Sequence, residues 1–334
     1  MEITQILLAI WLFVALFIVF ESRVYRIIIY FGIFSLISSV IYLFMGAPDV
    51  AKGEAAVSAF ATIFFIICAE KYYVNKADVL TEKKPKFNKG RWITKIVLPL
   101  LFVGGLFMLF MQFIPEIGEI NTQLKDQYLA RFMTDVGGEN AVTAIYLGYR
   151  VYDTLFEALI LVIVVVAVAH VSWYEKGDSV TDGYHSEIEN YNTAIFTMRI
   201  IWPIILLFGV YLIMNGHISA GGGFQGGLAI ACFFICRYMI YGIYDIPIKK
   251  VIRLEELVFL NIIIMAILAI FLGAENFIVE RFPVDRGVYQ TIYLLIMNIL
   301  IGLKVACGFF ILFYRYIAIE RLDIVQKRNS KREK

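Results

Sequence analysis

Apolar stretches of about 20 residues dominate this sequence of 334 residues. A helix needs about 20 predominantly apolar residues to cross the hydrocarbon core of a bilayer. The hydrophobic fraction is 60% and the charged fraction 17%, whereas a soluble domain is about half apolar and about a quarter charged. The sequence therefore predicts an all-α integral membrane protein with about nine transmembrane helices. The candidate spans are 3–20, 25–45, 50–69, 95–114, 154–173, 196–214, 222–243, 256–273 and 289–313.

Two polar segments divide these spans into blocks of three, two and four helices. Residues 71–95 contain eight Lys or Arg residues and two acidic ones, and residues 175–192 are acidic and rich in turn formers. The blocks predict three modules, at residues 1–90, 91–190 and 191–334. Residues 115–152 are too long for a simple turn and too polar to span. We expect an interfacial or partly re-entrant stretch there, leading into the fifth span.

The distribution of basic residues predicts an N-terminus outside the cell and a cytoplasmic C-terminus. With nine spans in this orientation, the basic segment 71–95, Lys249 with Lys250, and the tail from Arg315 all lie inside. The tail carries seven basic and three acidic residues. The first span has no basic segment before it and no small-residue cleavage site after it, so a retained helix is expected rather than a signal peptide.

Charged residues at the start of the third span are the first candidates for function. Buried charge in a bilayer costs roughly 2.5–3.5 kcal/mol on insertion scales, so it needs a partner or a purpose. Asp49 and Lys52 are three residues apart on a helix and can pair, whereas Glu54 faces elsewhere. The alternative is that all three are solvated at the depth of the lipid headgroups.

The fifth span opens with a second group of charges. Asp153 and Glu157 are four residues apart on one helix face, and Arg150 precedes Asp153 by three. Such a cluster would be only partly neutralised. Asp153 also precedes an apolar run, which favours a helix-capping role for it. Glu157 lies one turn further in and remains a candidate for ion binding.

Lys304 and His217 complete the titratable candidates. Lys304 lies inside the ninth span, 289–313, and is too deep to snorkel easily. It must pair with an acid or a carbonyl, or lose its proton, so a proton relay and a structural ion pair are both open. His217 stands at the end of the sixth span, where a proton-exchanging and a structural role both remain possible.

A glycine-rich stretch separates the sixth and seventh spans. Residues 215–227, here called the glycine segment, read Asn-Gly-His-Ile-Ser-Ala-Gly-Gly-Gly-Phe-Gln-Gly-Gly. Glycine allows positive φ and a close approach of backbones, so we interpret the segment as an architectural turn. Its motif residues are Gly221, Gly222, Gly223, Phe224, Gln225, Gly226 and Gly227.

Enzymatic and metal-binding functions find no support in the sequence. The glycine segment is not a phosphate-binding loop, because neither a preceding strand nor a following Lys-Ser/Thr pair is present. The four cysteines all fall in apolar runs and are expected to be buried thiols. We therefore expect no catalytic residues, no metal site and no bound cofactor.

The glycine segment resembles the signature of the B subunit of multisubunit Mrp-type sodium/proton antiporters, in which Pro usually stands at the position of Ala220. The pattern Gly302-Leu-Lys304-Val is also similar to that protein. Residues 48–57 resemble a motif of the C-terminal region of the antiporter A subunit, which normally has Leu-Thr in place of Lys52-Gly53. Residues 140–157 resemble a second motif of that region. There the family typically has Asp at Gly148 and Gly at Val151 and Phe156.

The resemblance implies a fusion of antiporter modules. The same modules occur as separate D, E and F subunits in membrane-bound hydrogenases and sulfane sulfur reductases. The resemblance further implies that this chain is a non-catalytic, multi-pass subunit in a prokaryotic plasma membrane. Its partners would be other membrane subunits, and the transported ions would be Na⁺ and H⁺. Glu54 and Glu157 would be ion sites and Lys304 an electrostatic partner. Lys52 could neutralise Glu54 or act as a tethered competitor for sodium.

Three functional interpretations follow. The first is a subunit that contributes to cation and proton translocation, either in a plain antiporter or in the membrane arm of a ferredoxin-linked oxidoreductase. The second is a purely structural scaffold between redox and pumping subunits. An autonomous channel or solute transporter is disfavoured, because the blocks of three, two and four helices contain no evident inverted repeat.

Overall fold

The computed structural model describes residues 3–73, 89–113, 123–171, 192–241, 246–272 and 286–332. Every element in these ranges is a helix or a turn. The helices are α1 (Ile3–Phe20), α2 (Val24–Phe44), α3 (Pro48–Tyr73), α4 (Lys89–Phe113), α5 (Gln123–Val136), α6 (Ala141–Ala144), a π-helical turn (Ile145–Tyr149), α7 (Val151–Val171), α8 (Asn192–Asn215), α9 (Gly223–Tyr241), α10 (Ile248–Leu272) and α11 (Arg286–Arg332).

A long helix stands at each of the nine stretches that the sequence marks as a span. Six of the described helices are long and apolar enough to cross a membrane: those covering 3–20, 24–44, 48–69, 151–168, 196–215 and 291–316. The protein is thus a multi-pass helical membrane protein. The count of nine spans and the orientation stay predictions.

The stretch expected to be interfacial or re-entrant is itself mostly helical. It contains α5, which is amphipathic, then a short break at residues 137–140, then α6 and the π-helical turn. Asn140 caps α6, since its side-chain oxygen accepts hydrogen bonds from the amides of Val142 (3.0 Å) and Thr143 (3.4 Å). Residues 114–122 lie outside the described part of the chain.

Two compact units are present. One comprises residues 1–67 and 131–334, and the other residues 68–130. The second unit contains α4, whose apolar side chains from Leu100 to Leu109 are exposed. All the sites described below lie in the first unit.

The first unit is built around α11. In an apolar stretch of 18 residues within its span Thr291–Tyr316, 67% of the residues are buried, against 0–22% in the matching stretches of the other five spans. Side chains from α3, α7, α9 and α10 pack on α11, and Leu294, Met297 and Phe313 are completely buried. By contrast, α1 buries none of its residues within the described chain.

Glycines let α9 lie against α11 and α8 at backbone distance. A Cβ atom on Gly227 would stand 2.5 Å from the carbonyl oxygen of Gly302 on α11. On the other face of α9, a Cβ on Gly226 would stand 2.6 Å from the carbonyl oxygen of Gly209 on α8. Small residues at helix interfaces permit this approach in membranes, where association depends on close packing. The glycines of α9 therefore serve two neighbouring helices at once.

This packing predicts that Gly227→Ala destabilises the protein. The added methyl group meets backbone rather than a flexible side chain, so the helices must separate, at a cost of about 2 kcal/mol or more. We expect a lower thermal unfolding midpoint for the purified full chain in detergent. Gly104→Ala on α4 is the matched control, because open space surrounds its Cβ position. Equal midpoints for the two variants would contradict the close contact.

Candidate functional site

The turn between α8 and α9, residues 216–222, meets α3 through one peptide group. The Asp49 carboxylate accepts a hydrogen bond from the amide of Gly221 at 3.0 Å, and the Lys52 ammonium donates to the carbonyl oxygen of Ala220. These two backbone groups belong to the same peptide bond. No ion pair joins Asp49 to Lys52 in the structure described, so the direct pairing expected from their spacing is wrong. Both side chains bind the turn instead, because the N–H and C=O of its peptide group need hydrogen-bond partners.

Asn140 connects this turn to the segment before α6. Its side-chain amide donates to Asp49 Oδ1 at 3.0 Å and to the carbonyl oxygens of Gly216 (3.1 Å) and Ser219 (3.0 Å). Thr143 donates to the same Gly216 carbonyl at 2.6 Å. Asn140 is only 8% exposed, and both its side-chain nitrogen and its side-chain oxygen are hydrogen-bonded. Asp49 is buried to the same degree, so solvation at headgroup depth does not describe it.

Asn298 on α11 binds the other end of the turn. Its side-chain oxygen accepts from the amide of Gly223 at 3.0 Å and from the Tyr146 hydroxyl at 3.2 Å. Burial raises the pKa of Tyr146 to about 12, so the phenol stays neutral and available as a donor. Gly222 lies directly beneath the Tyr146 hydroxyl, which a Cβ atom at that position would strike. A glycine is required there for steric reasons.

His217 is part of the turn and is buried. Its backbone carbonyl accepts from the amides of Glu139 (3.0 Å) and Asn140 (3.1 Å), which fixes residues 137–140 against the turn. Its ring atom Nδ1 is buried and has no hydrogen-bond partner among the residues described. The backbone of His217 therefore has a clear structural role. Proton exchange by its ring stays a prediction.

Glu54 lies one turn further along α3 and faces α2. The Ser35 hydroxyl donates to its carboxylate, and Glu54 forms no ion pair within the described chain. Ser35 is buried and Glu54 half-buried. Lys52 contacts the turn instead, so it does not neutralise Glu54 by direct pairing. Glu54 remains a carboxylate in a membrane-spanning helix with a hydroxyl partner.

Lys304 forms a buried ion pair with Glu255 of α10, and the two residues are 1% and 4% exposed. The Lys304 ammonium also lies 4.8 Å from the centre of the Phe259 ring, a cation–π arrangement. The acid that a deep lysine requires is therefore supplied by the neighbouring helix. The pair links α10 to α11, and a proton relay through Lys304 stays a prediction.

The charges at the start of α7 are exposed. Arg150 and Asp153 pair at 2.5 Å on the surface. Asp153 is the third residue of α7 and not the residue before it, so it is not the N-cap residue. It does lie in the first turn, where a negative charge interacts favourably with the helix dipole. The helix begins earlier because the π-helical turn runs almost directly into it. Glu157 is also exposed, within the apolar span 151–168.

The site therefore brings together only part of the predicted set. Asp49, Lys52, His217 and the glycines meet at the turn, Glu54 lies beside it on α3, and Lys304 and Glu157 take separate places. Six side chains with clear roles in the structure are not predicted by the sequence patterns: Asn140, Thr143, Tyr146, Asn298, Ser35 and Glu255. A signal was present for Asn298 and Ser35, which are polar residues within otherwise apolar spans. Their partners could not be predicted, because Glu54 lies 19 residues from Ser35 and Gly223 lies 75 residues from Asn298 in the sequence.

Family comparisons identify the modules. A family described as a domain related to the MnhB subunit of Na⁺/H⁺ antiporters matches residues 193–311, and the MbhD family of MBH complexes matches residues 9–73. The chain is a fusion of Mrp-type antiporter modules. The two matches fall inside the third and first predicted modules, respectively. The module boundaries at residues 90 and 190 stay predictions.

Related sequences come from archaea and bacteria. An uncharacterised protein of Methanocaldococcus jannaschii is 28% identical over 66% of this fusion and 92% of its own length. A Rhizobium meliloti protein, named as the probable A/B subunit of a K⁺/H⁺ antiporter, is 22% identical over 66% of the fusion. That match spans only 24% of the Rhizobium protein.

Two solved structures share the architecture. A chain of the Mrp complex from Dietzia sp. DQ12-45-1b superposes on 93% of the fusion with a TM-score of 0.69 at 17% identity, and 34% of that chain is covered. At this identity the likeness shows the fold alone. A chain of the membrane-bound sulfane sulfur reductase, an archaeal respiratory membrane complex, matches 65% of the fusion and 96% of its own length, with a TM-score of 0.51 at 26% identity.

The bonds of Asn140 predict that Asn140→Ala is strongly destabilising. The change removes one of the donors to Asp49 and to the Gly216 carbonyl, leaves the Ser219 carbonyl without its side-chain donor, and removes the cap of α6. Each buried polar group left unsatisfied costs about 1–3 kcal/mol. Thermal unfolding in detergent should show a clear loss of stability. Asn261→Ala is the matched control, because Asn261 is exposed and its one side-chain bond within the described residues goes to the Leu257 carbonyl of its own helix. A loss as small as in the control would contradict the network.

The ion pair of α10 and α11 predicts strong coupling between two substitutions. Lys304→Met or Glu255→Gln alone leaves one charge buried without its partner, at a cost of about 3–5 kcal/mol. The double variant leaves neither charge and should recover most of that stability. The measurement is the thermal unfolding midpoint of the wild type, the two single variants and the double variant, which together form a double-mutant cycle. Additive losses would show that the pair is not coupled.

Proposed function

We propose that this fusion is a non-catalytic membrane subunit of a multisubunit Na⁺/H⁺-translocating complex, and that Glu54 takes part in ion transfer. Its partners would be the other membrane subunits of an antiporter or of the membrane arm of a respiratory complex. The observation that carries the proposal is that Glu54 lies in a spanning helix with Ser35 as its hydrogen-bond donor and no ion pair in the described chain. A carboxylate in that setting can bind either H⁺ or Na⁺, and competition between them would couple the two fluxes.

Glu157 supports the same proposal from the outer surface of the fusion. An exposed carboxylate within an apolar span is costly when it faces lipid. We infer that a neighbouring subunit covers it and completes an ion site there. The transported ions would be Na⁺ and H⁺, with no cofactor held by this chain.

A structural scaffold is the second candidate function. It is favoured by the internal bonds of three other charged candidates, because Asp49 and Lys52 bind the turn and Lys304 binds Glu255. Asp49 and Lys52 would hold the first module against the third, and Lys304 would hold α11 against α10, without any exchange of ions. In this case the fusion would join redox subunits to the pumping subunits and conduct nothing itself.

Glutamine substitutions separate the two functions. In the assembled complex reconstituted in vesicles, Glu54→Gln and Glu157→Gln should each lower sodium-dependent proton flux by about tenfold or more, since an amide cannot exchange H⁺ for Na⁺. Glu256→Gln is the matched control, because Glu256 is an exposed glutamate on α10. Subunit content is measured alongside. Normal flux with intact assembly in both variants would favour the scaffold.

A further inference from the structure

The peptide group between Ala220 and Gly221 lies between two opposite charges. Asp49 binds its N–H and Lys52 its C=O, from positions three apart on one face of α3. A peptide group carries a dipole of about 3.5 D, positive toward N–H and negative toward C=O. Both charges therefore act on the dipole in its favourable orientation. Asp49 and Lys52 therefore interact through the peptide group that lies between them, without a direct contact.

The carboxylate of Asp49 needs a counter-charge. The side chain is only 8% exposed, and two of its donors, the Asn140 amide and the Gly221 N–H, are both neutral. A buried charge that lacks compensation is strongly destabilising. Lys52 is the cation that contacts this turn. Other titratable groups nearby include His217 in the turn, Glu139 next to Asn140, Glu54 on α3 and Tyr146.

We propose that the Lys52 ammonium is a resident counter-cation for Asp49, and that it occupies the place a free Na⁺ ion would otherwise take on the Ala220 carbonyl oxygen. Carbonyl groups of non-helical backbone are favourable ligands for Na⁺ in membrane proteins. The covalent tether gives the ammonium a high effective concentration at this oxygen, so external cations do not displace it. Asp49 and Lys52 then take no part in ion exchange, and Glu54 is left as the exchangeable acid of α3.

The test compares two variants of Lys52, one that leaves an empty space at the Ala220 carbonyl oxygen and one that fills this space with an uncharged side chain. Lys52→Ala removes the ammonium and leaves space, whereas Lys52→Met removes the charge and keeps most of the bulk. Unfolding midpoints of the purified full chain are measured in NaCl and in N-methyl-D-glucamine chloride at equal ionic strength, so screening is the same in both. The bulky organic cation should not fit the space.

We expect Lys52→Ala to unfold about 5 °C or more below the wild type in the organic salt and to recover part of this loss in NaCl or methylammonium chloride. The wild type and Lys52→Met should each have a midpoint that does not change with the cation. A midpoint of Lys52→Ala that does not depend on the cation overturns the proposal, as does an equal Na⁺ response in the wild type. The assay needs no transport activity, so its outcome is independent of the proposed function.

A second cycle keeps the proposal testable if Lys52→Ala does not fold. Asp49→Asn removes the negative charge and keeps a side-chain oxygen for the Gly221 amide. The double variant Asp49→Asn/Lys52→Met should therefore be more stable than Lys52→Met alone, because no buried charge is left without its counterpart. Losses that simply add would overturn the assignment of Lys52 to Asp49.

Discussion

The non-helical backbone between α8 and α9 is the constraint on which the rest of the first unit depends. Where neither helix bonds nor water satisfy amides and carbonyls, protein side chains must do so. Asp49, Lys52, Asn140, Thr143 and Asn298 do this from α3, from the segment around α6 and from α11. Three parts of the chain that are far apart in sequence are held at one turn. The turn thus works as a junction between the modules.

Close packing and polar bonding support each other at this junction. Glycines in α9 bring its backbone against α8 and α11, and the same absence of side chains places Gly222 under the Tyr146 hydroxyl. A side chain at the α9 glycines or at Gly222 would push the turn away from the side chains that bind it. Further along α11, the Lys304–Glu255 pair adds a buried charged link to α10. The junction is therefore closely packed and hydrogen-bonded, while the acids Glu54 and Glu157 lie outside it.

Much of this arrangement could be predicted from particular residues. The glycine segment indicates close approach because only glycine lets backbones meet, and the depth of Lys304 requires an acid or a carbonyl. The partners could not be predicted. Glu255 lies 49 residues from Lys304, and Asn140 lies 91 residues from Asp49. The spacing of Asp49 and Lys52 indicated a local ion pair, but local spacing takes no account of a distant peptide group that competes for both charges.

The sequence by itself determined the membrane location, the all-helical class, the positions of the long helices and the family of the modules. These properties depend on the length and composition of contiguous segments, and hydrophobic transfer acts on each segment independently. Only the tertiary structure decided which charges face each other, which are buried and which remain exposed. Those outcomes depend on the relative rotation and depth of helices that are distant in sequence. Asp49 and Glu54, five residues apart on one helix, show the difference, because one is bound into the junction and the other faces Ser35 on α2.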